Sequence, residues 1–218
     1  MYTRENPSAR YIELLKQYQQ LHIEGEKNLG LAPENTFPGQ SLPPHAPAIK
    51  RLIDKTGAKT ILDYGSGKGK QYQPLPLNVE GDTRQYLGIQ EYWGVDNITC
   101  YDPCYEPFNH LPTSQFDGVI STDVLEHCPE EDVEWIIDGL FSFSKLFVFG
   151  NIACYPAKKH LPNGENAHCT IQPGQWWVEY IKQSANKYPG RLFEFLLDVK
   201  IDTESGPAIQ RQRIANFS

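Results

Sequence analysis

The chain has 218 residues, with 20 Lys or Arg against 27 Asp or Glu, a formal net charge of −7, and no run of five or more basic residues. Affinity for nucleic acid rests largely on basic groups displacing counterions, so this balance excludes a general polyanion binder. Hydrophobic residues make up 39% and aromatics 12%, too apolar for a disordered chain, and the length suits one domain that hides roughly 70–75% of its extended surface.

Residues 8–24 place Tyr11, Leu14, Leu15, Tyr18 and Leu21 at steps of three and four, which predicts an amphipathic helix packed on the domain as an N-terminal extension. Pro33, Pro38, Pro43, Pro44 and Pro47 make 30–47 a loop, because proline lacks an amide hydrogen and φ freedom; this loop is placed to cover a site. Residues 48–56 read as a helix that begins beside Pro47 and stops at Gly57. Apolar runs at 60–64, 98–101, 116–122 and 146–151 read as strands. Between the last two, 129–143 puts Val133, Ile136, Ile137, Leu140 and Phe141 on one helical face, with Glu130, Glu131 and Asp132 in the first turn, where the helix dipole favours anions. A second helix is expected from Pro173-Gly174 to Ser184. Alternating strand and helix predicts an α/β fold with a mostly parallel central sheet and helices on its faces. Residues 192–199 and 209–217, separated by 203–207, predict a closing antiparallel hairpin. The whole of 1–218 reads as one domain, an extension at 1–47 and a core at 48–218.

No apolar stretch approaches the roughly 20 residues needed to span a bilayer. The N-terminus lacks the basic-then-apolar pattern of a signal peptide. A cytoplasmic protein without a membrane partner is the expectation. Five cysteines, an odd number with no Cys-x-x-Cys pair, predict no disulfide framework.

The strongest local signal is Ile61-Leu62-Asp63-Tyr64-Gly65-Ser66-Gly67-Lys68-Gly69-Lys70, an apolar strand running into three alternating glycines. Its spacing fails the mononucleotide loop Gly-x-x-x-x-Gly-Lys-Ser/Thr, because Gln71 follows Lys70. The dinucleotide fingerprint is disfavoured too, because Lys70 stands where its third glycine belongs. Asp-x-Gly-x-Gly-x-Gly at a first strand's end resembles motif I of the class I S-adenosylmethionine-dependent methyltransferases. The resemblance runs in register over most of 50–177. Tyr101-Asp102-Pro103 stands where that family places an acid on the ribose hydroxyls, and Phe116-Asp-Gly-Val-Ile-Ser-Thr-Asp-Val-Leu-Glu-His127 is similar to its fourth strand and the turn after it.

The resemblance implies a Rossmann-like fold and S-adenosylmethionine as cofactor. It implies cofactor contacts from Asp63, Gly65, Gly67, Gly69, Asp102, Pro103, Thr122, Asp123 and Val124. Two departures stand out. Gly69 to Asp102 spans 33 residues, more than the roughly 20 expected after such a loop, which implies an inserted surface loop at about 78–95. The adenine-binding acid is also missing from its usual place, leaving Asn109 and His110 as alternatives.

Methyl transfer is an in-line displacement at a sulfonium, needing alignment and, for a protonated nucleophile, a base. His127, His160 and His168 follow the third and fourth strands, at the edge where such sheets hold ligands. His168 is the preferred proton acceptor, Asn166 a substrate-orienting partner, and His127 either a base or a local hydrogen-bonding residue. His160, His168, Cys169 and Glu165 lack paired zinc-ligand spacing, so no metal is expected. Of Trp176 and Trp177, one is expected to wall the pocket and one to fill the core.

The resemblance thus implies methyl transfer to oxygen or nitrogen of a small-molecule or sugar-like acceptor. Two alternatives stay open. One is a DNA or RNA adenine methyltransferase, suggested by Asp102-Pro-Cys-Tyr105 and disfavoured by the acidic charge. The other is a cofactor-binding partner protein without activity.

Overall fold

In a computed structural model of the protein, residues 2–203 and 206–218 are described. In chain order they form α1 (Ala9–Glu24), α2 (Ala46–Thr56), β1 (Thr60–Tyr64), β2 (Pro76–Asn78), β3 (Gln85–Leu87), α3 (Ile89–Trp93), β4 (Asn97–Tyr101), β5 (Phe116–Thr122), α4 (Glu130–Phe143), β6 (Ser144–Cys154), α5 (Gly174–Lys187), β7 (Leu192–Thr203) and β8 (Gly206–Ala215). Six strands make one sheet in the order β4-β1-β5-β6-β7-β8, parallel except for the β7–β8 hairpin.

Strands covered on both faces read as apolar runs whose neighbours point opposite ways. Leu62, Val119, Val148, Phe193 and Phe195 pack under α4 and α5. Ile61, Ile120, Phe147, Phe149 and Leu196 pack under α2 and α3. The result is the expected mostly parallel sheet with helices on both faces and a C-terminal antiparallel hairpin, a Rossmann-like α/β arrangement. Part of the turn expected at 203–207 lies outside the described residues.

Several boundaries move for local reasons. α2 starts at Ala46, because Pro47 fits within a first helical turn. β6 follows α4 without a loop and extends to Cys154, paired with β7 from Phe147 onward. β8 stops at Ala215, where Asn216 turns its side-chain oxygen to the Phe193 amide. The insertion at 78–95 is not a surface decoration. It carries β3, which pairs with β2 just ahead of it, and then α3, whose Trp93 is 1% exposed and donates its indole N–H to the Ala46 carbonyl at 3.0 Å.

α1 is fixed to the core at its first turn. Ser8 caps it by accepting from the Tyr11 amide, and the Ser8 amide donates to the buried Asp132 carboxylate of α4. No helix among the described residues is long and apolar enough to cross a membrane. All five cysteines are free thiols.

Candidate functional site

After β1 the chain crosses to one side of the sheet to form β4, then returns past β1 to form β5 on the other side. In open parallel sheets the crevice at such a reversal, beyond the carboxyl ends of the strands, is where ligands bind. A cavity of about 440 Å³ lies there, within the size range of small-molecule sites.

Its floor comes from the three strand ends. Gly65, Ser66 and Gly67 follow β1, Asp102, Pro103 and Cys104 follow β4, and Thr122, Asp123 and Val124 close β5. Its roof is the N-terminal extension: Tyr11, Leu14, Tyr18 and His22 of α1, with Phe37 to Ser41 from the proline-rich loop. The loop expected to cover a site does so. It is tied at both margins, where Phe37 accepts from the Lys68 amide at 2.8 Å and Ser41 donates to the Thr122 carbonyl at 3.3 Å.

The glycine loop needs its glycines. Gly65 has φ 87°, and a Cβ there would stand 2.3 Å from a Val124 methyl; Gly67 has φ 57°, and its Cβ would stand 2.4 Å from the Phe37 carbonyl oxygen. Side chains rarely adopt that backbone region. The Gly65 and Ser66 amides both donate to the Tyr101 carbonyl, and the Asp102 carboxylate accepts from the Gly67 and Cys104 amides at 2.9 Å each. Asp102 therefore holds the loop in shape while its remaining lone pairs face the cavity. Burial pushes its carboxyl up, opposed by those amides and by the charge of Lys68. His22 approaches it to 3.9 Å, and its ring is kept neutral, lowered to about 3 by burial and then by Lys68, whose ammonium donates to His22 Nδ1.

Two of the expected cofactor residues do not line the cavity. Gly69 turns away toward Phe108 and Cys100. Asp63 points back into the fold, 1% exposed, accepting from Tyr72 at 2.8 Å and Gln71 at 3.0 Å. Burial, opposed by those two bonds, pushes the Asp63 carboxyl up to about 7. Folded chains then hold a proton that unfolded chains, with a pKa of about 3.9, release; stability falls as pH rises across that window, by up to about 1.4 kcal/mol per pH unit. Asp63→Asn should remove that slope, since Gln71 has an unpartnered buried oxygen to take the new amide donor. In thermal unfolding between about pH 5 and pH 8 the variant should gain on the parent as pH rises; parallel curves would mean that the folded carboxyl titrates normally.

At the β5 end, Asp123 has φ 60°, one of two non-glycine residues with positive φ among those described. Such backbone is held only where surroundings enforce it, often at functional sites. Asp123, His127 and His168 converge, their ligand atoms within 4.8 Å of one another. The His127 and His168 rings meet edge to face at 4.7 Å. His127 lines the cavity and His168 sits directly behind it, 7% exposed. Burial lowers the pKa of both imidazoles, His127 to about 4.

Asn166 does not reach the cavity. Its side-chain oxygen accepts from the Ala157 and His168 amides and its nitrogen donates to the Ala157 carbonyl, so it braces the loop that carries His168. Neither His160, Asn109 nor His110 lines the cavity, and the last two are exposed. Trp177 is fully buried in the core while Trp176 packs at a tilt against Tyr180, so neither walls the pocket. Sequence reasoning missed Tyr18, His22 and Phe37 as lining residues. Their types and spacing read only as a core stripe and a loop, and their role depends on α1 docking over the sheet edge.

Neither a family model nor a curated protein matches the chain. A solved structure described as "DhpI-SAH complex structure" is similar over 94% of this chain and 79% of its own, with 17% identity and a TM-score of 0.32. That likeness is too slight to bear on fold or function, and the reading of the site rests on its own geometry.

Proposed function

We propose that the protein binds S-adenosylmethionine in this cavity and transfers its methyl group to oxygen or nitrogen of a small-molecule acceptor. The observation that carries the reading is the convergence of a positive-φ glycine loop, the carboxylate of Asp102 and the Thr122–Asp123–Val124 turn around one cavity at the sheet's reversal point. In this reading Gly65 and Gly67 let backbone approach the methionine half. Asp102 accepts from the ribose hydroxyls, and charge-assisted bonds of this kind are the stronger ones. The apolar part of the cavity, from Leu14, Pro103, Cys104 and Ile136, takes the flat adenine in place of a bond to Asn109 or His110.

The sulfonium donor carries its own leaving group, so the chain's contribution is alignment and exclusion of water. The polar end at Asp123 and His127, backed by His168, faces the acceptor. An acceptor hydroxyl must lose its proton on reacting, whereas a neutral amine needs orientation only. The adenine-methyltransferase alternative loses support from the same geometry, because Asp102 of its Asp-Pro-Cys-Tyr string is engaged with the glycine loop.

S-adenosylhomocysteine should bind one per chain at micromolar levels, about −8 kcal/mol, by isothermal calorimetry. Native mass spectrometry of the purified protein should find no NAD or flavin. Absence of binding, or a co-purified dinucleotide, would overturn the reading. Turnover of labelled S-adenosylmethionine against a metabolite extract separates an enzyme from an inactive binder.

A further inference from the structure

The turn after β5 presents Asp123, Glu126 and His127 at steps of three and one, and the loop braced by Asn166 brings His168 against them. Both histidines have their tautomer set by the backbone. His127 Nδ1 donates to the Ala167 carbonyl at 2.9 Å; the Tyr18 hydroxyl, also 2.9 Å from Nδ1, gives its own proton to that same carbonyl and so leaves Nδ1 the donor. His168 Nδ1 donates to the Tyr155 carbonyl at 2.6 Å. A carbonyl can only accept, so the proton of each neutral ring is on Nδ1 and the lone pair is on Nε2. No hydrogen bond among the described residues reaches either Nε2. His168 Nε2 stands 3.8 Å from Asp123 Oδ1, too far for one.

An independent observation comes from Glu126. Its side chain is fully buried, one oxygen accepts from the Ala153 amide at 2.7 Å, and the other has no partner among the described residues. The carboxylate lies against Asp123. A buried carboxylate oxygen without a partner, next to a second carboxylate, is a costly arrangement on its own. One divalent cation resolves it.

The geometry points to a divalent transition-metal site formed by Asp123 and the Nε2 atoms of His127 and His168, with Glu126 as the buried carboxylate that steadies the ion. Imidazole nitrogens held by backbone carbonyls through their other ring N–H are the usual supporting arrangement of metal-binding histidines. Two imidazoles with carboxylate favour zinc, manganese or cobalt over magnesium or calcium, which prefer all-oxygen sets. Donors about 2.1 Å from one ion lie at most about 4.2 Å apart, so the group, now within 4.8 Å, needs to close by several tenths of an ångström. Asp123, with its side chain 43% exposed, has room to do so. Of the four residues weighed for zinc in the sequence, only His168 belongs to this set, and His160, Cys169 and Glu165 do not.

The site itself does not depend on the methyl-transfer reading. Resting on that reading, the positions left open by three ligands take an oxygen of the acceptor, and the bound ion favours the deprotonated hydroxyl. The proton then passes to solvent, since ligated imidazoles have no lone pair to receive it.

The test is a titration of the chelator-stripped full chain with Co²⁺, followed by visible absorption, and with Zn²⁺ and Mn²⁺ by calorimetry, all without cofactor. One ion per chain is expected, with cobalt d–d bands that Zn²⁺ abolishes. His168→Ala and His127→Ala should each weaken binding by at least about 30-fold, roughly 2 kcal/mol, with thermal unfolding kept cooperative as evidence of folding. His160→Ala should bind as the parent does. Absence of a one-to-one cobalt spectrum in the parent, or unchanged metal affinity in a folded His168→Ala variant, would overturn the site. Either result leaves S-adenosylhomocysteine binding to be judged separately by its own calorimetry.

Discussion

Gly67→Val is expected to weaken S-adenosylhomocysteine binding by about 100-fold or more, roughly 2.7 kcal/mol, while the fold survives. Gly67 sits at φ 57°, and its added Cβ would stand 2.4 Å from the Phe37 carbonyl oxygen. Positive φ costs an ordinary residue about 1–2 kcal/mol, and a β-branched one has further difficulty. Backbone cannot yield as a flexible side chain can, so either the glycine loop or the cover at Phe37 must shift. Either shift breaks the bond from the Lys68 amide to Phe37 and the carboxylate contact between Asp102 and the Gly67 amide. The damage is to the shape of the cavity wall rather than to space that the ligand itself occupies. Neither Gly67 nor Phe37 belongs to the core cluster under α4 and α5, so cooperative unfolding should persist. Calorimetric binding within a few-fold of the parent would show that the loop does not cradle the ligand.

Asp102→Ala should weaken the same binding by about 30-fold or more, in line with about 1.5–3 kcal/mol for hydrogen bonds to a charged group. Two causes are combined in that number, because the variant also leaves the Gly67 and Cys104 amides without their acceptor. A ligand lacking the ribose hydroxyls separates them. The parent should lose affinity for that ligand, and the variant should lose little more, so the two changes are far from additive. Full additivity would remove Asp102 from the ribose and leave it a loop-holding residue.

The features legible in the sequence are those dictated by neighbours along the chain. Alternation of side chains across a strand marked β1 and β5 as doubly covered, because Leu62 and Ile61, or Val119 and Ile120, must point to opposite faces. The acidic first turn and apolar face of α4 were readable for the same reason. Glycines at 65 and 67 announced backbone that side chains cannot adopt, and a strand ending in Tyr101-Asp102-Pro103 put a carboxylate at the sheet's carboxyl edge. Position along the chain, however, does not determine which way a side chain faces. Asp63 has the motif's acid and turns it inward to Tyr72 and Gln71. Asn166 has a polar amide in the right loop and spends it on backbone. The segment at 78–95 lacks a strong period, yet Trp93 fills the core because α2 offers it a carbonyl and an apolar face.

The sequence by itself determined the doubly covered parallel sheet, the closing hairpin and the strand ends that meet at one edge, since each follows from local burial period and turn chemistry. Only the tertiary structure decided that α1 and Phe37 roof the cavity, and that His127 and His168 share one point with Asp123. These outcomes depend on loops closing between elements far apart in the chain, where affinity for a distant surface, rather than the identity of adjacent residues, fixes where a side chain ends.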